Sequence, residues 1–278
     1  MSLESDAKRR LQVIAENDYR PPEDEAAAVF ATDILPYLGS TDGELREQYV
    51  YGTLHRWIVR GTLSPIEITA LMSTLIDADH LFLGIDSPGD NTVFMRAFSA
   101  LLLVPIVYAH RQDPFLSAPH LGSILTQIIE YMDREQDLRG YISPQMWWAH
   151  GIAHAADVLG QLGQCEDVQA EDLMAMLGAI ARKAKADSSV FIFEEDERMA
   201  AAAIEILKRR ELDSERMTGW FSQLVPKARW TGELPQVHHR FLNARNVLRC
   251  LSFQAREVDL PSALLDGIEA ALAALPKR

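Results

Sequence analysis

A chain of 278 residues, 48% of them hydrophobic, has the apolar mass for one large domain or a short repeat array. Its net charge of -13 excludes the clustered basic surface that grips nucleic-acid phosphates or anionic membranes. Cys165 and Cys250 stand far apart and make neither a disulfide framework nor a zinc ribbon, so a reducing, cytoplasmic setting is expected.

The N-terminal MSLESDAKRR is charged and lacks the apolar stretch of a signal peptide. Ser64-Pro65-Ile66-Glu67 then offers an N-cap, a proline at the first helical position and a capping-box glutamate. Behind it Ile68, Leu71, Met72, Leu75 and Ile76 lie on one helical face. The most apolar run, Ala97 to Ala109, falls short of the roughly 20 residues a membrane span requires and reads as a buried, kinked helix. Ser117-Ala118-Pro119 opens a helix with Leu121, Ile124, Leu125 and Ile128 on one face, and Ser143-Pro144 is expected to open the next. Later stripes run through Leu173 and Met176, Ala203 and Ile204, Trp220 and Phe221, Phe241 and Leu248, and Leu264 and Ile268.

Helix starts are expected near residues 5, 24, 41, 64, 91, 118, 144, 170, 194, 213, 234 and 260. No segment alternates with period two, so no sheet is expected. Helix pairs recurring about every 45–50 residues approach the period of HEAT-type repeats. The expectation is a single all-helical domain over residues 1–278, with 10 to 12 helices stacked as antiparallel pairs into a HEAT-like α-α superhelix.

Four segments carry a family likeness: LGSTDGELREQYVYGTLHRWIVRG from Leu38, VFMRAFSALLL from Val93, RGYISPQMWWAHGIAHAADVLG from Arg139 and VFIFEEDERMA from Val190. A fifth is FLNARNVLRCL from Phe241. On these the chain resembles the mainly bacterial DUF2785 family. The resemblance implies a helical fold and no activity. The family's usual wording of the third segment is closer to GWAHAIAH, so Trp147 stands here in a glycine's place.

The most informative stretch is WWAHGIAHAADVLG from Trp147. It sets His150, His154 and Asp157 at i, i+4, i+7, one stripe of a helix, with Trp148, Ile152 and Leu159 on the core side. Two imidazoles and a carboxylate so spaced can share a divalent metal ion, with Asp196 or Glu197 as a fourth ligand. The zincin signature is broken, because Gly151 stands where its glutamate would be. The alternatives are a hydrogen-bonded brace between helices and a metal-free ligand pocket.

Further polar residues recur in the early turns of alternate helices: Arg46 and Tyr49, Arg96, Asp196, Glu197 and Arg198, and Asn243 and Asn246. Alternate helices of a solenoid run parallel, so these residues are expected to share one rim of a concave face. Trp147 is the expected pocket wall. A binding or scaffold protein follows, with Arg46, Arg96, Trp147, Asp196, Arg198, Asn243 and Asn246 holding a protein, peptide or small molecule. The enzymatic alternative is a metal-dependent hydrolase or oxygenase, with His150, His154 and Asp157 on the ion and Glu197 or His154 moving protons.

Overall fold

The computed structural model describes residues 3–226 and 232–276. Among them are twelve α-helices: α1 (Leu3–Glu16), α2 (Ala27–Ile34), α3 (Gly52–Val59), α4 (Pro65–Leu75), α5 (Val93–Gln112), α6 (Ala118–Arg134), α7 (Gly151–Gly163), α8 (Ala170–Lys183), α9 (Glu195–Lys208), α10 (Ser214–Leu224), α11 (Gln236–Ala255) and α12 (Ser262–Ala273). A 3-10 turn (Leu35–Gly39) follows α2, and a π-helix (Glu44–Tyr51) runs directly into α3. The protein is mostly helical, as the apolar periodicity predicts.

Local chemistry sets several of these starts. Ser64 and Glu67 form the expected capping box on α4, with Pro65 at its first position. Gln169 and Asp172 form another on α8, and the Asp213 side chain caps α10. α5 is the one described helix long and apolar enough to cross a membrane, and 78% of its most apolar window is buried inside the protein.

Two expectations are corrected. A two-stranded antiparallel hairpin is present, β1 (Tyr141–Ser143) with β2 (Trp147–Trp148). Strands of three and two residues are too short for period-two alternation to register. The helix expected to open at Ser143-Pro144 instead begins at Gly151, because these residues are spent on the hairpin and its turn. His150 therefore lies outside the helix, at φ +59°, and the expected stripe of three residues on one helix does not form. Trp148, expected on the core face, is only half-buried in β2.

The backbone divides into two compact units. The first comprises Met1–Ile124 and Arg139–His154, the second Leu125–Leu138 and Ala155–Arg278.

In the first unit α5 packs against the 3-10 turn, α3 and α4, while α1 packs on the π-helix. Phe30 and Trp57 meet at 5.7 Å, and the Trp57 indole N–H donates to the Tyr19 carbonyl. The hairpin rests on α5, where Ile142 and Met146 cover a small core of Val93, Phe94 and Ala149. Trp147 also adopts a left-handed backbone, at φ +55°. A bulky residue is strained there, and the glycine implied by the family resemblance would not be. The Trp147 indole lies flat enough on Gly43 that a Cβ there would sit 2.5 Å from its Cγ.

In the second unit two pairs of helices run parallel. Trp220 donates to the Leu177 carbonyl and Arg216 pairs with Glu171, so α8 and α10 run parallel. Gly160 and Gly163 approach Ala202 and Ile206 in matching order, so α7 and α9 do too. α12 packs on α10, and α11 on α9.

Gly43→Ala tests the hairpin packing. The methyl group cannot be accommodated without moving the indole root, so the variant should lose about 1–3 kcal/mol in urea denaturation. Trp147→Gly should recover most of that loss in the double variant. Equal stability of Gly43→Ala and wild type would contradict the contact.

Candidate functional site

The first unit brings Arg46, His150 and His154 into one neighbourhood, around a clamp made by Arg46. Its side chain is fully buried. It donates to the carbonyls of Ser40 (2.6 Å), Trp148 (3.0 Å) and Met146, and to Glu47 Oε1 (2.9 Å). Its guanidinium lies over the Phe94 ring at 4.0 Å and the Phe98 ring at 4.8 Å. Glu47 Oε1 also accepts from the Trp148 backbone N–H at 3.0 Å. One residue pair on the π-helix thus fixes both the strand β2 and its entry into α7.

The strained backbone at His150 stacks its ring on Trp148, with centroids 5.0 Å apart and planes 26° apart. His150 meets His154 edge-on at 5.6 Å, and His154 meets Phe98 at 5.6 Å. Phe98 in turn meets Tyr51 at 6.2 Å. The Tyr51 hydroxyl is 3.1 Å from His55 Nδ1. Aromatic rings therefore run in contact from Trp148 through the two buried histidines to Tyr51 and His55.

Glu47, Tyr51 and His55 are spaced i, i+4, i+8 across the π-helix and α3, on successive turns of one face. All three are half-buried, whereas Arg46, Tyr49, Val50 and Leu54 beside them are buried. π-helical turns occur frequently at functional sites. The sequence reading selected Arg46 and Tyr49 from this segment and passed over the half-exposed face. The i, i+4, i+8 recurrence of three ionisable side chains was the available signal.

Burial moves the ionisable groups toward their neutral forms. It raises the Glu47 carboxyl above its ordinary value, against the opposing Trp148 N–H, the Arg46 charge and His150. It lowers the Arg46 guanidinium, with Glu47 and Asp42 pulling the other way. Burial also lowers His55, helped by the neighbouring charge of Arg56.

Several of the remaining expected residues bond within their own unit. Arg96 is buried in the first unit and donates to the Leu83 carbonyl and the Thr92 hydroxyl, both at 2.7 Å. Trp147 covers Gly43 and donates from its indole to the Pro144 carbonyl. In the second unit Arg198 Nη1 bonds both oxygens of Asp157, at 2.8 and 3.0 Å. Buried Asn243 accepts from the Phe191 N–H and donates to the Ala186 and Ser189 carbonyls, bracing the loop before α9. Asn246 accepts from Arg245. Asp196 is half-buried and held above its ordinary value by burial, and Glu197 is exposed.

Beside Asp196 and Glu197, burial and their charges push the Cys250 thiol up to about 12, far from a reactive thiolate. Among the described residues no three or more His, Cys, Asp or Glu side chains are grouped so as to hold a metal ion. Of the expected residues, Arg46, Arg96, Trp147, His150 and His154 belong to the first unit and Asp157, Asp196, Glu197, Arg198, Asn243 and Asn246 to the second.

These features define a mostly helical protein in which a short hairpin is pinned by a buried arginine. The chain belongs to the DUF2785 family, described as a protein of unknown function, whose model matches residues 81–253. The matched span includes the hairpin, His150 and His154. The Glu47, Tyr51 and His55 face precedes it. Comparisons with curated proteins and with solved structures return no match.

The raised Glu47 carboxyl has a consequence for stability. Folded protein holds this proton more tightly than unfolded chain, so its contribution is full at acid pH and is lost as pH rises through the raised value. Glu47→Gln removes the titration. The stability of wild type relative to Glu47→Gln should fall as pH rises from below the ordinary glutamate range through the raised value, in urea denaturation. A difference that is flat, or that rises with pH, would contradict it.

Proposed function

We propose that this protein binds a small, uncharged polar ligand on the Glu47–Tyr51–His55 face of the first unit. One observation carries the reading. Three ionisable side chains stay half-buried on one helical face, amid aromatic rings and beside a backbone strained at Trp147 and His150. Strain in non-glycine residues concentrates at functional sites. Glu47 is already paired with Arg46 and accepts from the Trp148 N–H, so the face offers a ligand hydrogen bonds more than an unbalanced charge.

The reading keeps Arg46, His150 and His154 as the support of the ligand face. It treats the parallel helices of the second unit as the layers of HEAT-like helix pairs, a scaffold in keeping with a binding role. A metal-dependent hydrolase or oxygenase is less well supported, because Arg198 engages the Asp157 carboxylate that would complete its ligand set.

Ligand-observed NMR against a library of neutral heteroaromatic and polyol fragments tests this. Fragments should bind wild type and be lost in Tyr51→Phe/His55→Ala, a pair outside the Arg46 clamp, at an unchanged melting temperature. No binding, or binding indifferent to the double substitution, would overturn it.

A further inference from the structure

Within the proposed ligand face, Tyr51 and His55 are the two side chains in direct hydrogen-bond contact, 3.1 Å from phenol oxygen to Nδ1. Both sit on adjacent turns of a continuous helix, where α3 continues the π-helix. The Tyr51 ring is held edge-on by Phe98 at 6.2 Å and contacts the His55 ring at 5.5 Å. Packing of this kind limits the rotamers of the phenol and keeps its oxygen against the imidazole. A hydroxyl within hydrogen-bond reach of a base is the arrangement that activates a nucleophile.

We propose that Tyr51 is a reactive tyrosine and His55 its base, acting on an electrophilic acyl-type centre of a ligand seated on this face. The inference rests on the binding reading above. In the step, the phenol oxygen forms a bond to the electrophilic atom while its proton passes to His55 Nδ1. The leaving group departs with the electron pair of the broken bond and can take that proton from the imidazole. With its Nδ1 facing the phenol oxygen, the neutral imidazole is placed to accept that proton. Arg56 is the charged neighbour that, together with burial, lowers His55.

An aryl sulfonyl fluoride is a suitable probe, since attack by a phenol releases fluoride and leaves a stable aryl sulfonate ester. Intact-protein and peptide mass spectrometry would follow labelling of the full chain. Tyr108 and Tyr141, 39% and 40% exposed, serve as internal controls. Tyr51 should label at least about tenfold faster than either, despite being less exposed.

His55→Gln keeps a hydrogen-bonding group but cannot take the proton, and should bring Tyr51 down to the control rate. His55→Ala should do the same at an unchanged melting temperature. Labelling of Tyr51 no faster than the controls, or indifferent to both substitutions, would overturn the inference. Fragment binding that survives alongside an unreactive Tyr51 would sink this inference alone. Loss of both would sink the binding reading with it.

Discussion

A guanidinium with no exposure to water is costly unless nearly every donor is filled, and Arg46 is such a group. The first unit is organised around filling it. Three carbonyls from two distant segments, Ser40 on one side and Met146 and Trp148 on the other, converge on its nitrogens. Glu47 supplies the opposite charge, and Phe94 and Phe98 cover the guanidinium face. A hairpin this short would not hold its own register in water. Tied to a buried cation and packed on α5, it places His150 against Trp148 and delivers the chain into α7.

In the proposed binding reading, the same arrangement separates support from site. Arg46 spends its donors inside the protein and has little left for a ligand. Glu47 faces both ways, since Oε1 closes the clamp while the residue remains half-buried beside Tyr51 and His55. The second unit uses its polar residues differently. Asn243 completes the bonding of a loop backbone, and Arg198 is matched to Asp157 across α9 and α7. Those residues stand out in the sequence for a structural reason.

Much of the fold was legible because helical periodicity is a local signal. The Ser64-Pro65-Ile66-Glu67 cap, the stripe of α8 and the starts of α9 and α12 can be read from a few neighbouring letters. The hairpin was not legible. Its strands are too short to alternate, and its turn rests on a contact between Trp147 and Gly43, a hundred residues apart. Placing Ser143-Pro144 at a helix start followed a sound local rule that tertiary contacts override. Arg46, His150 and His154 lie near one another in the first unit, while the i+7 spacing to Asp157 presumes a helical His150 that the structure places outside α7. Glu47, Tyr51 and His55 share an i, i+4, i+8 spacing that is legible in the letters, but nothing local shows that their face is left half-exposed.

The most direct measurement of the central claim is amide hydrogen exchange in Arg46→Met, a substitution that keeps the apolar stem and removes the charge. If the clamp holds the hairpin, the amides of residues 141–150 should exchange at least about tenfold faster than in wild type, while those of α8 and α10 stay unchanged. Unaltered protection across residues 141–150 in a folded Arg46→Met variant would contradict it.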